Sequence, residues 1–195
     1  MDKDPDPSTT SFYVSDMLYR KLITDFTDWR RSDREVSDPI FRESIARLLY
    51  REARLLDELN HEGWLRLFAS ECIYWIPGSS DGSDPRSEVA IAFDDRRRLE
   101  DRVFRLRTGN AWSQRPVSRT VRSISNVEVF SAADNEIYMV RSNFQVMELQ
   151  GQVKTNWHGW VGHQIRDKGD QFEILVKQVN LINYDQNLHN PSIIL

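Results

Sequence analysis

The sequence predicts an α+β fold in which a long, curved antiparallel sheet wraps around N-terminal helices. Apolar residues recur at helical spacing in the first half of the chain, whereas polar and apolar residues alternate from residue 118 onward. Short turn signals separate the alternating segments, so successive strands must run antiparallel. Helices followed by such a meander are typical of an α+β domain, and a strongly curved sheet around helices forms a cone.

Two segments precede the predicted domain. Residues 1–10 mix Asp, Pro, Ser and Thr without periodicity, which is typical of a disordered tail. Residues 11–31 carry apolar side chains at intervals of three and four, at Leu18, Leu22, Phe26 and Trp29. This spacing predicts an amphipathic helix that caps the domain or docks on a partner. We therefore divide the chain into an N-terminal extension, residues 1–37, and one domain, residues 38–195.

The domain begins with helices. Asp38 before Pro39 is a helix-start signal, because Asp accepts free amide hydrogens of the first turn and Pro at the first position loses no hydrogen bond. The apolar stripe that follows predicts a helix up to Asn60. A second, short helix is predicted after Gly63, and a strand is predicted over residues 71–76.

Residues 93–129 mark the change from helix to sheet, after a loop over residues 78–87. The stretch begins as a charged helix, ends that helix at Gly109 and crosses a loop before the next strand. Opposite charges lie four residues apart in Asp94 with Arg98, Arg97 with Asp101, and Asp101 with Arg105. Such pairs stabilise a helix surface. We therefore interpret Arg96, Arg97 and Arg98 as a solvated helix face and not as an anion site.

Four strands follow, separated by turn sequences. They are predicted over residues 119–130, 136–150, 152–167 and 171–184. Strands of about 12 to 16 residues are long for a compact domain, so bends or bulges are expected.

Composition excludes several classes of function. The chain has 26 basic and 30 acidic residues and a net charge of −4, the wrong sign for a protein that binds by neutralising phosphates. It has no apolar run of about 18 residues, and its N-terminus lacks the pattern of a signal peptide, so a cytoplasmic protein is expected. The lone Cys72 cannot build a Rieske cluster or an internal disulfide, and its apolar surroundings predict a buried strand residue.

The chain offers few candidates for its own chemistry. Its four histidines are His61, His158, His163 and His189. His158 and His163 share a predicted strand but are five residues apart, so they face opposite sides and cannot both bind one metal ion. Acid–base chemistry in the mouth of the cone remains an alternative, with Tyr74 or Tyr138 as donor and His158 or His163 as base. A dehydratase, an isomerase or a binding module for small ligands would fit that alternative.

A resemblance to a known family is carried by four separated stretches in a fixed order. They are YREARLLDELNHEGWLRLFASECIYWIP, FDDRRRLEDRVFRLRTGNAW, PVSRTVRSISNVEV and NLINYDQNLHNPSIIL. Together they resemble the small (β) subunit of Rieske non-haem iron aromatic-ring-hydroxylating dioxygenases, over residues 38–195. The resemblance implies a cone-like fold similar to nuclear transport factor 2 and scytalone dehydratase.

The resemblance also implies a role and partners. It implies a non-catalytic, structural subunit that supports a larger α subunit in a trimer of heterodimers, with self-association around the threefold axis. The Rieske 2Fe–2S cluster and the mononuclear Fe(II) are expected in the α subunit, and no cofactor is expected in this chain. The whole enzyme would use NADH and O2 to hydroxylate an aromatic compound.

Carried over by position, the family pattern marks a loop-and-strand motif. Its residues are Arg107, Thr108, Gly109, Trp112, Pro116, Ser118, Arg119, Asn126 and Val127. The resulting candidates for subunit contacts are Arg107, Trp112, Arg119, Asn126, Ile193, Ile194 and Leu195. Some of these residues also have a purely structural alternative. Gly109 and Pro116 could serve turn geometry alone, and Trp112 could serve local packing. Ile193, Ile194 and Leu195 could be buried in the chain's own core.

Overall fold

A computed structural model describes residues 13–80, 84–109, 111–186 and 193–195. The predicted tail, residues 1–10, lies outside the described residues, as do His189 and part of the loop over residues 78–87. The helices are α1 (Asp16–Asp25), α2 (Pro39–Asp57), α3 (His61–Leu65) and α4 (Arg96–Arg107), with 3-10 turns at Ser32–Arg34 and Trp112–Gln114. The strands are β1 (Phe68–Pro77), β2 (Ala90–Asp95), β3 (Arg119–Ser131), β4 (Ile137–Gln150), β5 (Val153–Asp167) and β6 (Phe172–Leu181).

The strands form one six-stranded sheet in the order β2-β1-β6-β5-β4-β3. The β1–β6 pair is parallel and the other pairs are antiparallel. The expected irregularities occur in four of the five ladders, including a register shift in β3 between Ser125 and Glu128. Asn126 lies in that shift with a φ of 51°, a left-handed conformation that Asn tolerates better than most residues.

The core lies between the sheet and α2. Ile45, Leu49 and Leu56 point from α2 into a cluster that contains side chains of β3, β4, β5 and β6, and each is at most 2% exposed. The start of α2 agrees with the prediction, since the side chain of Asp38 accepts the amide hydrogen of Ile40 at 2.9 Å. Burying one helix face against a curved sheet produces the cone that the sequence predicted.

Two predicted boundaries in the helical half were wrong. Helix α3 contains Gly63 and does not follow it, because the Asn60 side chain caps the helix by accepting the Gly63 amide hydrogen at 2.9 Å. Strand β1 begins at Phe68, three residues before the predicted start. The early start follows from tertiary pairing, since Phe68 pairs with Ile174 of the parallel neighbour β6.

Strand β2 was not predicted, and the charged helix starts later than expected. Asp95 accepts the Arg98 amide hydrogen at 2.9 Å and so begins α4. Asp94, still in the strand, pairs with Arg102 instead of Arg98. The predicted Arg97–Asp101 pair is present at 3.2 Å.

Arg96 is not a solvated residue of the helix face. Its guanidinium donates to the carbonyl oxygens of Leu65 at 3.1 Å and Phe68 at 3.0 Å, so it ties α4 to the start of β1. The charge pattern predicted the helix but not this contact, because the two carbonyls are distant in sequence.

The extension packs on the face of the sheet opposite α2. Leu22 of α1 is 1% exposed and lies against Ile73 and Trp75, which alternate along β1 with the residues of the main core. Trp29 packs on Phe130, and Gln164 donates to Asp25 at 2.7 Å. The division of the chain at residues 37 and 38 stays a prediction. No helix within the described ranges has the length and apolarity needed to cross a membrane.

Gly159 gives a first test of this packing. A Cβ atom at this position would lie 2.0 Å from the carbonyl oxygen of Asn180, so β5 and β6 could not keep their spacing. We expect Gly159→Ala to lower the free energy of unfolding by about 3 kcal/mol, at the upper end for overpacking. The control Gly169→Ala has no atom within 4 Å of the added carbon and meets only the cost of its φ of 84°, about 1 kcal/mol. Urea unfolding measures both, and equal losses would contradict the close approach.

Candidate functional site

Three of the predicted contact residues, Arg107, Trp112 and Arg119, lie in the connection between α4 and β3. We call its described residues, 107–109 and 111–119, the rim loop. Trp112 is 78% exposed, and the Arg115 guanidinium stacks over its ring at 4.8 Å. Arg107 is exposed and pairs with Glu62 of α3 at 2.7 Å. Arg119, at the start of β3, is exposed as well. The structure therefore brings these three predicted residues to one accessible edge of the cone, with Asn126 exposed further along the same strand.

The rim loop is held by a buried hydrogen-bond network that the sequence did not indicate. Gln114 donates to the Ser118 hydroxyl and accepts the Ser118 amide hydrogen, both at 3.1 Å. The Ser118 hydroxyl in turn donates to Glu148 at 2.6 Å, and the indole N–H of Trp157 donates to the same carboxylate at 2.8 Å. Gln150 adds two hydrogen bonds to loop carbonyls. An exposed tryptophan thus lies on a loop with a fixed conformation.

A cavity of about 510 Å³ opens beside the rim loop, and we call it the mouth cavity. Its walls come from α4, the α2–α3 connection, the rim loop and the start of β3. Apolar side chains and three arginines line it together. They include Leu56, Val103, Leu106, Arg107, Arg115 and Arg122.

Arg122 is fixed at the inner end of this cavity. Its side chain is 5% exposed and pairs with Asp57 at 2.5 Å. The Asp57 carboxylate also accepts the Thr120 hydroxyl at 2.8 Å and the backbone amide of Arg122 at 2.9 Å. A second terminal nitrogen of Arg122 donates to the carbonyl oxygen of Ile194. Arg122 therefore connects α2, β3 and the segment that contains Ile194.

The predicted contact residues Ile193, Ile194 and Leu195 lie in the core of this chain. They are 8%, 2% and 3% exposed. The Leu195 amide donates to the Tyr74 hydroxyl at 3.1 Å, and that hydroxyl donates to the Leu195 carbonyl at 3.4 Å. Burial in the chain's own core was the alternative that the sequence left open. A contact of these three residues with a second subunit stays a prediction.

Inside the cone, three ionisable side chains form a cluster that we call the interior cluster: Glu52, His163 and Lys177. The Lys177 ammonium donates to one Glu52 oxygen at 2.7 Å, and Nε2 of His163 lies 3.2 Å from the other. The Trp64 indole N–H also donates to Glu52, at 3.0 Å. Glu52 and Lys177 are each 4% exposed and His163 is 2% exposed. The sequence singled out His163 but gave no sign of Glu52 or Lys177 as its partners.

The charges of the interior cluster depend on one another. Burial raises the pKa of Glu52, but the Lys177 charge and His163 outweigh burial and hold this pKa well below its usual range. Burial lowers the pKa values of both His163 and Lys177. The geometry is that of a buried ion pair between Glu52 and Lys177, beside an imidazole whose pKa is lowered.

The space that the described residues leave beside the interior cluster is too small for a substrate. The space beside the interior cluster is about 20 Å³, enough for about one water molecule. Tyr74, one of the two candidate proton donors beside Tyr138, is hydrogen-bonded to Leu195, and burial raises its pKa to about 12. His158 lies five residues from His163 and hence on the other face of β5. This geometry disfavours the dehydratase or isomerase alternative.

The described residues also bear on metal binding. Within the ranges that the structure covers, no group of three or more His, Cys, Asp or Glu side chains lies close enough together to hold a metal ion. His61 lines the mouth cavity, far in sequence from His158 and His163, and His189 is outside the described residues.

Acidification tests the interior cluster. In the unfolded chain His163 binds a proton below about pH 6.5, whereas in the folded chain its pKa is lowered by burial. The unfolded chain therefore binds more protons at lower pH, and the free energy of unfolding should fall as the pH drops from 7.5 to 5.5. Glu52, whose folded pKa is also lowered, should add a second loss near about pH 4.3. His61, with a pKa lowered by burial and then by Arg122, adds to the first loss.

The measurement is urea unfolding at several pH values for the wild type and for His163→Gln. The variant should lose less stability than the wild type between pH 7.5 and 5.5, because it lacks the histidine whose pKa burial lowers, whereas His61 still contributes. A wild-type free energy of unfolding that stays constant over this interval would contradict the lowered pKa of folded His163.

The fold and its surface define a cone-shaped α+β protein with a packed interior and a fixed, exposed rim. A profile of the family described as ring hydroxylating beta subunit matches residues 51–185. The chain belongs to this family, which confirms the resemblance seen in the sequence, and it is a structural β subunit of the ring-hydroxylating dioxygenase class.

Individual relatives agree. The chain is 35% identical to the β subunit of benzoate 1,2-dioxygenase from Acinetobacter baylyi, over 75% of this chain and 89% of the relative. It is 33% identical to the small subunit of 2-halobenzoate 1,2-dioxygenase from Burkholderia cepacia, over 71% and 87%. The crystal structure of the benzoate 1,2-dioxygenase β subunit from Burkholderia mallei matches with a TM-score of 0.62 and 31% identity, covering 76% of this chain and 95% of that one.

More distant structures confirm the predicted fold. A scytalone dehydratase homologue from Novosphingobium aromaticivorans has a TM-score of 0.54 at 13% identity, covering 73% of this chain and 84% of that one. A nuclear transport factor 2-like protein with a cystatin-like fold, from the same organism, has a TM-score of 0.53 at 13% identity, covering 73% and 82%. At these identities the likeness concerns the fold alone.

Proposed function

We propose that this chain stabilises the assembly of a larger, iron-containing α subunit in a cytoplasmic aromatic-acid dioxygenase. The observation that carries the proposal is the rim loop, which presents an exposed tryptophan from a conformation fixed by buried hydrogen bonds. Preorganised aromatic anchors are the residues from which interfaces gain most of their binding energy. A loop with this build fits a scaffold.

The surroundings of the rim loop extend this surface. Val117 is 56% exposed in the loop, and Val121 and Met147, which pair across β3 and β4, are 58% and 61% exposed. Gln150 binds the carbonyls of Ser113 and Pro116, so this end of β4 lies directly beside the loop. Neighbouring exposed apolar side chains mark interaction surfaces in soluble proteins. We call Trp112, Val117, Val121 and Met147 the rim surface and assign it to the α subunit.

The polar contact candidates fit the edge of such an interface. Arg107 and Arg119 lie at the two ends of the rim loop, and Asn126 lies on β3, which ends the sheet on this side. Charged groups at the margin of an interface steer association and set orientation more than they add affinity. We propose that Asn126 and the edge strand β3 face a neighbouring subunit in a trimer of heterodimers around a threefold axis.

The metal chemistry belongs to the partner in this proposal. A Rieske 2Fe–2S cluster needs two cysteines and two histidines, and burial raises the pKa of the lone Cys72 to about 12, which keeps it a thiol. The cluster and a mononuclear Fe(II) would reside in the α subunit, which would receive electrons from NADH. The two relatives compared above are subunits of benzoate and 2-halobenzoate 1,2-dioxygenases, so we propose an aromatic carboxylate as the substrate class.

Co-expression with the large-subunit gene of the same oxygenase tests the proposal. With an affinity tag on this chain alone, we expect a brown complex that contains both chains and iron. The tagged chain expressed by itself should purify colourless and inactive. Recovery of the tagged chain without the large subunit, while both are soluble, would overturn the proposed function.

A further inference from the structure

The mouth cavity combines two features that the scaffold role does not require. Its volume of about 510 Å³ lies within the range of small-molecule sites, which are mostly apolar with a few placed polar groups. Leu56, Val103 and Leu106 supply apolar wall from two helices, and Val117 supplies it from the rim loop. The cavity is thus concave, apolar in its walls and open at the rim.

The charge of the cavity is opposite to that of the chain. Arg107, Arg115 and Arg122 line it, and Glu62 is the acidic residue among its lining side chains. Among the described residues, the three arginines stand against Glu62 and against Asp57, the ion-pair partner of Arg122, which leaves a local net charge of +1, whereas the whole chain carries −4. A local excess of positive charge in a concave site attracts anions.

Two of the arginines retain donors for a ligand. Arg107 uses one terminal nitrogen for Glu62, and Arg115 uses one for the Gly109 carbonyl at 2.6 Å. Arg122 already bonds Asp57 and the Ile194 carbonyl through its two terminal nitrogens and its Nε–H is buried, so the donors for a ligand come from Arg107 and Arg115. A guanidinium has five N–H donors in a planar fork that matches a carboxylate. Arg107 and Arg115 approach the cavity from α4 and from the rim loop, so an anion inside it meets donors from two elements.

The floor of the cavity separates it from the interior cluster. Ile193 and Ile194 line the mouth cavity, whereas Leu195 lines the inner space beside Glu52 and His163. A molecule in the mouth cavity is therefore kept apart from the ionisable residues of the interior. The cavity has the features of a binding site.

We infer that the mouth cavity is an accessory binding site for a small aromatic carboxylate, held by its ring against the apolar wall and by its carboxylate against Arg115 and Arg107. The choice of an aromatic acid as the ligand rests on the proposed function. The site would hold substrate or product on the β subunit, apart from the iron of the α subunit. An acidic side chain of a partner protein is the competing occupant.

Fluorine NMR of 4-fluorobenzoate with the chain alone tests this site. We expect its signal to broaden and shift on binding and to recover when benzoate is added. The uncharged 4-fluorobenzamide should bind at least about tenfold more weakly, the change expected for loss of a charge-assisted hydrogen bond. Arg115→Gln should weaken 4-fluorobenzoate binding by a similar factor, while Arg47→Gln, at an exposed position on α2, should leave it unchanged.

Filling the cavity gives a second, independent measurement. Ala111→Trp and Val117→Trp place an indole in the cavity lining and should abolish binding, whereas Ala133→Trp, in an exposed turn between β3 and β4, should not. Circular dichroism checks that each variant is folded, and either filling variant suffices. Binding that survives a folded filling variant, or equal binding of the amide, would overturn the inference.

Ligand binding to the mouth cavity and co-purification of the α subunit are measured separately, so one can fail while the other succeeds. Co-purification of the α subunit depends on the rim surface and can be observed with no ligand present. If the chain alone does not bind 4-fluorobenzoate and the assembled complex does, the ligand sits on the partner or at the interface, and the accessory site is refuted while the scaffold role stands.

Discussion

Glu52→Gln is expected to lower the free energy of unfolding by about 3–5 kcal/mol, the range for removing one member of a buried ion pair. The substitution keeps the shape of the side chain but leaves the Lys177 ammonium, 4% exposed, without its counter-charge. Glu52 lies in α2 and contacts Lys177 of β6 at 2.7 Å and His163 of β5 at 3.2 Å, so its carboxylate joins both strands to the helix. We expect a large loss because a buried charge without a partner is costly.

The matched control is Glu43→Gln on the same helix. Glu43 pairs with Arg47 at 3.0 Å, but both side chains are more than half exposed, and an exposed pair contributes less than about 1 kcal/mol. The double variant Glu52→Gln/Lys177→Met should recover part of the loss, since it removes the unpaired charge. Urea unfolding at pH 7.5 measures all three. A loss for Glu52→Gln as small as that for Glu43→Gln would show that the interior cluster does not stabilise the cone.

Trp112→Ala is expected to weaken binding of the α subunit by about 30- to 1000-fold, or about 2–4 kcal/mol, the range for an aromatic anchor at an interface. The side chain is 78% exposed in the isolated chain, so its removal should change the free energy of unfolding by less than about 0.5 kcal/mol. A loss of affinity without a loss of stability would distinguish an interface role from local packing.

Ile40→Ala is the control for this substitution. Ile40 is 80% exposed at the start of α2, away from the rim loop, and its truncation removes a similarly accessible apolar side chain. We expect it to leave the affinity for the α subunit unchanged. Biolayer interferometry with the purified subunits measures both variants. Equal affinities for the wild type and Trp112→Ala would remove the rim surface from the interface.

Local sequence was sufficient for most of the sheet. The four strands from Arg119 onward begin and end within three residues of the predicted bounds, because alternation and turn chemistry act over a few residues. Strand β2 was missed since its last residues, Asp94 and Asp95, fit the charge pattern of the helix that follows. Its strand conformation depends on pairing with β1, which no local signal reports.

The candidate sites, too, could be predicted from local sequence only in part. The positions of Trp112 and Arg107 at an exposed edge follow from a helix end, a loop and a family pattern in the sequence. The partners of His163 were not predictable, because Glu52 and Lys177 come from elements more than 100 residues away from one another in sequence. The burial of Ile193, Ile194 and Leu195 likewise depends on Tyr74 and Arg122, which only the folded chain brings near them.

In the proposed function this chain holds the α subunit and contributes no group to the chemistry. The most direct test is benzoate hydroxylation by the reconstituted complex, per iron, with wild-type β subunit and with Tyr74→Phe and His163→Gln variants that still co-purify with the α subunit. We expect both variants to show NADH- and O2-dependent turnover within about twofold of the wild type, because neither the Tyr74 nor the His163 side chain meets the substrate. A loss of tenfold or more in an intact, iron-loaded complex would contradict it.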